Sequence, residues 1–185
     1  MRKQNKKMQI GVIGYAGREE YPKNNVPPQR VYKAAERVGF LLARSGAIVV
    51  TGGKSGVMES ATRGAKKAGG ITVGVIKGNE RFLSNKFTDV EILTGMTADG
   101  FDEFMLVTMS DALITIGGGA GTLEEITIAY RNNKPIIALE NTGGWANKIA
   151  GTYLDERKKV RIIPASTPED AVKMALKFAH KSYDR

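Results

Sequence analysis

Four glycines in five positions, Gly117, Gly118, Gly119 and Gly121, stand between the β-rich run Ala112–Ile116 and a helical stretch from Thr122 to Arg131. One or two glycines make a strand-to-helix turn; four leave the backbone open to close approach by something bulky and polar. Phosphate has the right chemistry, because the first turn of a helix carries unpaired N–H groups and the positive end of the helix dipole. Two further glycine-rich segments occupy the same context. Gly11-Val-Ile-Gly14-Tyr-Ala-Gly17 ends the run that begins at Gln9, and Thr51-Gly52-Gly53-Lys-Ser-Gly56 follows Ala47–Thr51 and leads into a helix at Val57.

The rest of the chain repeats this alternation. Strands are expected at Gln9–Ile13, Ala47–Thr51, Thr72–Ile76, Ala112–Ile116 and Pro135–Leu139, with weaker ones at Glu91–Leu93 and Val160–Ile163. Several are Val/Ile/Leu runs, the pattern of strands buried on both faces. Helices are expected at Pro28–Ser45, closed by Gly46; at Val57–Ala68; at Asp99–Met109, capped by Asp99; at Thr122–Arg131; and from a Thr167 cap and Pro168 to about Lys181. Lys77–Val90 has no period and reads as an exposed loop. The implied fold is α/β: a Rossmann-like, doubly wound, mainly parallel sheet with helices on both faces. A single domain over 9–185 follows a basic disordered tail over 1–8. In such sheets ligands bind beyond the carboxyl ends of the strands, where all three glycine segments gather.

Composition narrows the chemistry. With no cysteine and one histidine, His180, the chain supplies no thiolate or histidine-rich metal site. No apolar run approaches the roughly 20 residues that span a bilayer, and a cytoplasmic protein is expected. The formal charge of +9 comes from 28 Lys+Arg against 19 Asp+Glu. It reads as a solvated basic surface, since no aromatic residues interleave the basic runs as a single-strand stacking platform requires. Nucleic acid therefore ranks low as a partner.

The motifs exclude two nucleotide sites. The second strand ends in Thr51-Gly52-Gly53 and not in the acidic residue that holds an NAD ribose. Lys54 follows only one glycine pair and precedes Gly56, so it is not a phosphate-loop lysine. The candidate phosphate-binding residues are Gly14, Gly52, Gly53, Gly56, Gly117, Gly118, Gly119, Gly121 and Thr122. Glu125 has two readings. Thr122-Leu-Glu-Glu125 fits a capping box, in which Thr122 and Glu125 satisfy each other's backbone donors; alternatively Glu125 is an acid/base or ribose-hydroxyl acceptor beside the phosphate. Trp145 either lines the pocket or is buried under the last helix, the latter being favoured.

The pair Thr51-Gly-Gly-x-x-Gly56-Val-Met and Gly118-Gly119-x-Gly121-Thr122-x-x-Glu125 resembles the lysine-decarboxylase-like or "Lonely guy" superfamily. That superfamily includes cytokinin-activating phosphoribohydrolases and molybdenum cofactor carrier proteins. The resemblance implies that Gly118–Thr122 hold a phosphate and that Glu125 is the catalytic glutamate of any hydrolase. It also implies a homodimer, and an AMP-like nucleotide or the molybdenum cofactor as bound ligand. Two departures matter. Gly117 replaces the hydrolases' proline, which looks more like the carrier branch, and Asp102 stands where their arginine aligns. The expectation is a binder of a phosphorylated nucleotide-like or pterin-like molecule, with a nucleoside 5′-monophosphate phosphoribohydrolase as the alternative. Thr51–Val57 and Gly69–Val75 also resemble the DNA-processing protein A family, which makes single-stranded DNA binding a third reading.

Overall fold

The computed structural model describes residues 6–183. Seven strands form one parallel sheet: β1 (Gln9–Gly14), β2 (Ile48–Thr51), β3 (Thr72–Ile76), β4 (Val90–Leu93), β5 (Ala112–Ile116), β6 (Ile136–Leu139) and β7 (Ile163–Ala165). Their spatial order is β4-β3-β2-β1-β5-β6-β7. The chain steps outward from β1 to β4, then returns to the other side of β1 as β5. The β1–β5 seam is therefore the topological switch point, where a crevice opens beyond the strand ends.

Six helices cover the sheet: α1 (Gln29–Arg44), α2 (Val57–Lys67), α3 (Phe101–Met109), α4 (Ala120–Arg131), α5 (Gly144–Ile149) and α6 (Pro168–Tyr183). Strand side chains alternate between two cores, as the period of two requires. Ile10, Val12, Ile114 and Ile116 join Val38, Leu42 and Ala175 on the face covered by α1, α2 and α6. Ile13, Val50, Leu113 and Ile136 join Leu106, Ile126 and Ile149 on the face covered by α3, α4 and α5.

Six of the seven strands lie within one residue of their expected bounds. The seventh does not. Val160–Ile163 gives way to Ile163–Ala165, which pairs with β6 through Pro164 opposite Ala138. Proline is tolerated there because β7 is an edge strand. Two helix starts also differ from expectation. Gly100, in the left-handed region at φ 94°, begins α3, with its N–H donating to Glu103 at 3.1 Å; Asp99 is instead engaged by Lys77. Gly119, not Thr122, precedes α4. At α6, the Asp170 N–H donates to the Thr167 hydroxyl at 3.1 Å, the expected cap. The short α5 has no counterpart in the sequence reading.

Of the expected tail over 1–8, residues 1–5 lie outside the described residues, and the Met8 carbonyl accepts from the Ile48 N–H at 2.8 Å. No described helix is long and apolar enough to cross a membrane.

Candidate functional site

Three turns meet at the carboxyl end of the β1–β5 seam. The loop after β1 wedges between the other two. Its Tyr15 carbonyl accepts from Val57 N–H at 2.9 Å, which occupies the first donor of α2. A Cβ at Gly56 would lie 2.2 Å from the Ala16 carbonyl carbon, so only glycine admits this loop so close to α2. The Tyr15 ring abuts Gly117, where a Cβ would stand 2.1 Å from Cε2. Gly117 and Gly118 are held from behind as well: their carbonyls accept from Ala146 and Trp145 N–H at 3.0 and 3.1 Å.

The glycines of the third segment thus divide by role. Gly117 and Gly118, both at positive φ, make the turn and receive Tyr15 and α5. Gly119 and Gly121 are exposed; a Cβ at Gly119 would meet nothing within 4 Å, and one at Gly121 only the Glu103 carboxylate at 4.0 Å. Beyond them the Ala120, Gly121 and Thr122 N–H groups make up the first turn of α4. Like every helix start, that turn lacks intrahelical acceptors, and Gly119 has no side chain to cap it.

These elements enclose a hollow of about 250 Å³. Of the residues singled out in the sequence, Gly14, Gly52, Gly119, Gly121, Thr122 and Glu125 line it; Gly53, Gly56, Gly117 and Gly118 support its walls from outside. Residues the motifs did not mark as ligands complete it: Lys54 from the β2–α2 turn, Glu20 and Tyr21 after β1, and Asp102 and Glu103 from α3. Their signal was present only as the departure from a family pattern at Asp102. Trp145 lies elsewhere, half-buried against the α3–α5 core with Lys148 Nζ 4.6 Å from its ring centre. It is neither in the pocket nor beneath α6, because α5 follows β6 on the opposite face.

Thr122 lies inside α4 and its hydroxyl donates to the Gly14 carbonyl at 3.1 Å. The capping-box reading of Glu125 therefore fails: a cap must precede the helix, and the Glu125 carboxylate makes no hydrogen bond among the described residues. It is half-buried, and burial pushes its carboxyl well above the usual glutamate range. Glu103, Asp102 and Glu124 push in the same direction, and Lys54 opposes them. Glu103 is also raised, first by burial and then by the neighbouring Asp102 carboxyl. Asp102 is buried, 7% exposed, and its Oδ1 has no hydrogen-bond partner. The hollow is accordingly bipolar. A rim of backbone N–H groups with Lys54 suits an anion, and a floor of three carboxyl groups suits a ligand that brings donors.

The cationic excess lies partly elsewhere. A larger hollow, about 960 Å³, opens at the amino-terminal ends of β6 and β7 beside α6, and is lined by Lys134, Lys159, Arg161 and Lys177 with Asp111. Volume alone favours it. The glycine turns, the helix start and the buried carboxyls all converge on the smaller one, and that convergence identifies the candidate site.

Comparison with known proteins agrees with this geometry. The chain is 39% identical over 135 residues to an uncharacterized protein of Archaeoglobus fulgidus, covering 73% of this chain and 82% of that one. It is 28% identical over 155 residues to the cytokinin riboside 5′-monophosphate phosphoribohydrolase of Mycobacterium tuberculosis, covering 76% and 82%. Among solved structures, the molybdenum cofactor binding protein of Rippkaea orientalis superposes with a TM-score of 0.77 at 29% identity, covering 98% of this chain and 99% of that one. The molybdenum cofactor carrier protein of Chlamydomonas reinhardtii gives 0.76 at 29%, covering 95% and 99%. DNA processing protein A of Helicobacter pylori, at 17% identity and 0.66, covers 92% and 80% and shares the fold alone. A profile of the SLOG cluster4 family matches residues 7–172, and the chain belongs to that family, within the Lonely-guy superfamily and close to its cofactor-carrier branch.

Proposed function

We propose that the hollow binds a phosphorylated nucleotide-like or pterin-like small molecule, and that the protein serves as a carrier of it. The observation that carries this reading is the open start of α4. The Ala120, Gly121 and Thr122 N–H groups face a space that no side chain of Gly119 or Gly121 obstructs, with Lys54 also on the rim. A phosphate there would gain several charge-assisted hydrogen bonds at once. The rest of the ligand would lie over the Asp102, Glu103 and Glu125 floor.

The molybdenum cofactor is one molecule of this class, and the residues present fit its organic part. The α4 start suits its phosphate, and the Glu103 and Glu125 carboxyls on the lining suit ring donors. The chain has no cysteine, so it offers no thiolate, and the metal would travel as cargo on its own organic ligand. Titration of ribose 5-phosphate by isothermal calorimetry tests the phosphate site directly. Saturable heat that disappears in Gly121→Glu, whose carboxylate would fill the rim, supports it; no heat at millimolar ligand overturns it.

One observation favours a second reading, hydrolysis of a nucleoside 5′-monophosphate. Glu125 is not spent on a cap, and burial holds its carboxyl above the usual glutamate range, the direction a general acid requires. Against hydrolysis stands Asp102, which puts an anion where such enzymes place a cation. Incubation with AMP followed by chromatography for free adenine separates the two. Release that vanishes in Glu125→Ala makes the protein a phosphoribohydrolase; no release with retained binding makes it a carrier.

The working unit we propose is a cytoplasmic homodimer. Phe101 and Phe104 project from the outer face of α3 at 43% and 49% exposure, and Met96 adjoins the same helix start at 43%. A helix apolar on both faces is suited to an interface. Pairing there would set a second copy beside Asp102 and Glu103.

A further inference from the structure

Lys54 is the one cation lining the hollow among the described residues. Its ammonium enters none of the salt bridges among those residues. Where it stands is therefore set by the backbone of the β2–α2 turn. Two glycines precede it there, so the turn has little stiffness of its own. Among the described residues Lys54 is tied down by a single hydrogen bond: its carbonyl accepts from the Asn85 side-chain amide at 3.0 Å.

Asn85 belongs to the aperiodic stretch between β3 and β4, yet it is half-buried, and its side-chain amide is fully engaged. Nδ2 donates to the Gly53 and Lys54 carbonyls, both at 3.0 Å. Oδ1 accepts from the Thr62 hydroxyl at 3.0 Å and from the Phe87 N–H at 3.1 Å. The Asn85 backbone N–H donates to the Gly53 carbonyl as well, at 2.7 Å. Two donors and two acceptors on one planar group are the property of a carboxamide. An aspartate of the same shape would instead set a carboxylate against two carbonyls.

The consequence for Lys54 follows from peptide planarity. The Gly53 and Lys54 carbonyls belong to the two peptide units that flank the Lys54 Cα. Fastening both to Asn85 fixes both planes, and with them the direction in which the Lys54 side chain leaves the chain. Asn85 itself does not line the hollow. Resting on the phosphate-binding reading above, we infer that Asn85 is a positioning residue of the anion site, which holds Lys54 on the rim without touching the ligand. The β3–β4 segment is then part of the site's machinery and not only a connection between strands.

The test is calorimetric titration of ribose 5-phosphate into wild type, Asn85→Ala, Lys54→Ala and the double variant, with Tm read for each. Lys54→Ala should weaken binding roughly 3- to 10-fold, and Asn85→Ala by a similar factor. With Lys54 already alanine, Asn85→Ala should cost less than about 2-fold more, because the side chain it positions is gone. A purely structural role would lower the Tm of Asn85→Ala and leave its affinity unchanged, which overturns the inference while leaving phosphate binding intact. Equal losses from Asn85→Ala with and without Lys54, or unchanged binding by Lys54→Ala, overturn it in the same way. No binding by the wild type overturns the phosphate reading and this inference together. Should Asn85→Ala not fold, Thr62→Val replaces it in the same comparison, since it keeps the shape and removes the hydroxyl that holds Oδ1.

Discussion

The Thr122 hydroxyl donates to the Gly14 carbonyl at 3.1 Å, joining the first turn of α4 to the last residue of β1 across the switch point. Thr122 is buried and Gly14 half-buried, so the bond is partly shielded from water and ties the two glycine turns together. Thr122→Val keeps the volume and removes the donor. Denaturant unfolding should show a loss of about 1–2 kcal/mol, or a fall in Tm of roughly 2–8 °C for a chain of this length. An unchanged midpoint would mean that the bond does not hold the turns together.

Gly117 and Gly119 should respond oppositely to the same substitution. At Gly117, φ is +66° and a Cβ would press into the Tyr15 ring, so Gly117→Ala should cost about 2–4 kcal/mol. At Gly119, φ is −105° and the space is empty, so Gly119→Ala should change stability by less than about 0.5 kcal/mol. Equal losses at both would show that Gly119 also belongs to the turn and not to an open binding rim.

Much of this was legible in the sequence, and the misses have physical reasons. Six strands could be placed because Val/Ile runs bounded by glycine admit few other readings. The last was misplaced because Pro164 reads as a strand breaker, yet an edge strand accepts it. Thr122-Leu-Glu-Glu125 has the spacing of a capping box, but that spacing caps only when the threonine lies outside the helix. Gly119 is the residue that precedes α4, which begins at Ala120, so Thr122 lies inside the helix. The six-residue α5 has too few positions to show a period. Lys54, Glu20 and Glu103 reach the hollow from turns and a helix start distant in sequence, which no local pattern encodes.

The raised pKa of Glu125 sets the sign of a pH effect. A carboxyl raised in the folded state binds its proton more tightly folded than unfolded. Its contribution is therefore fully present below the ordinary glutamate pKa and is lost as pH rises through the higher folded value. Several surface carboxylates, such as Glu36 beside Lys67 and Arg63, are shifted downward and act the other way, so the comparison must be between variants. Glu125→Gln should be more stable than wild type at neutral pH, with the difference shrinking in acid. Parallel stability profiles across pH 4–8 would contradict the burial of this carboxyl.

Phe104 tests the proposed pairing through α3. Sedimentation at micromolar concentration should give a dimer for wild type and a monomer for Phe104→Asp, with little change in the monomer's own stability because the side chain is 49% exposed. A monomeric wild type would remove the dimer, and a dimeric variant would move it to another face.

The central claim is that an anion at the start of α4 anchors the ligand. Its most direct test compares each 5′-monophosphate of guanosine, inosine and adenosine with the nucleoside lacking the phosphate, by calorimetry under one buffer. The account predicts saturable binding of at least one monophosphate, with its nucleoside weaker by roughly 10-fold or more, the contribution of charge-assisted hydrogen bonds. Nucleosides that bind as tightly as their monophosphates, or no binding by any of the six, would contradict it.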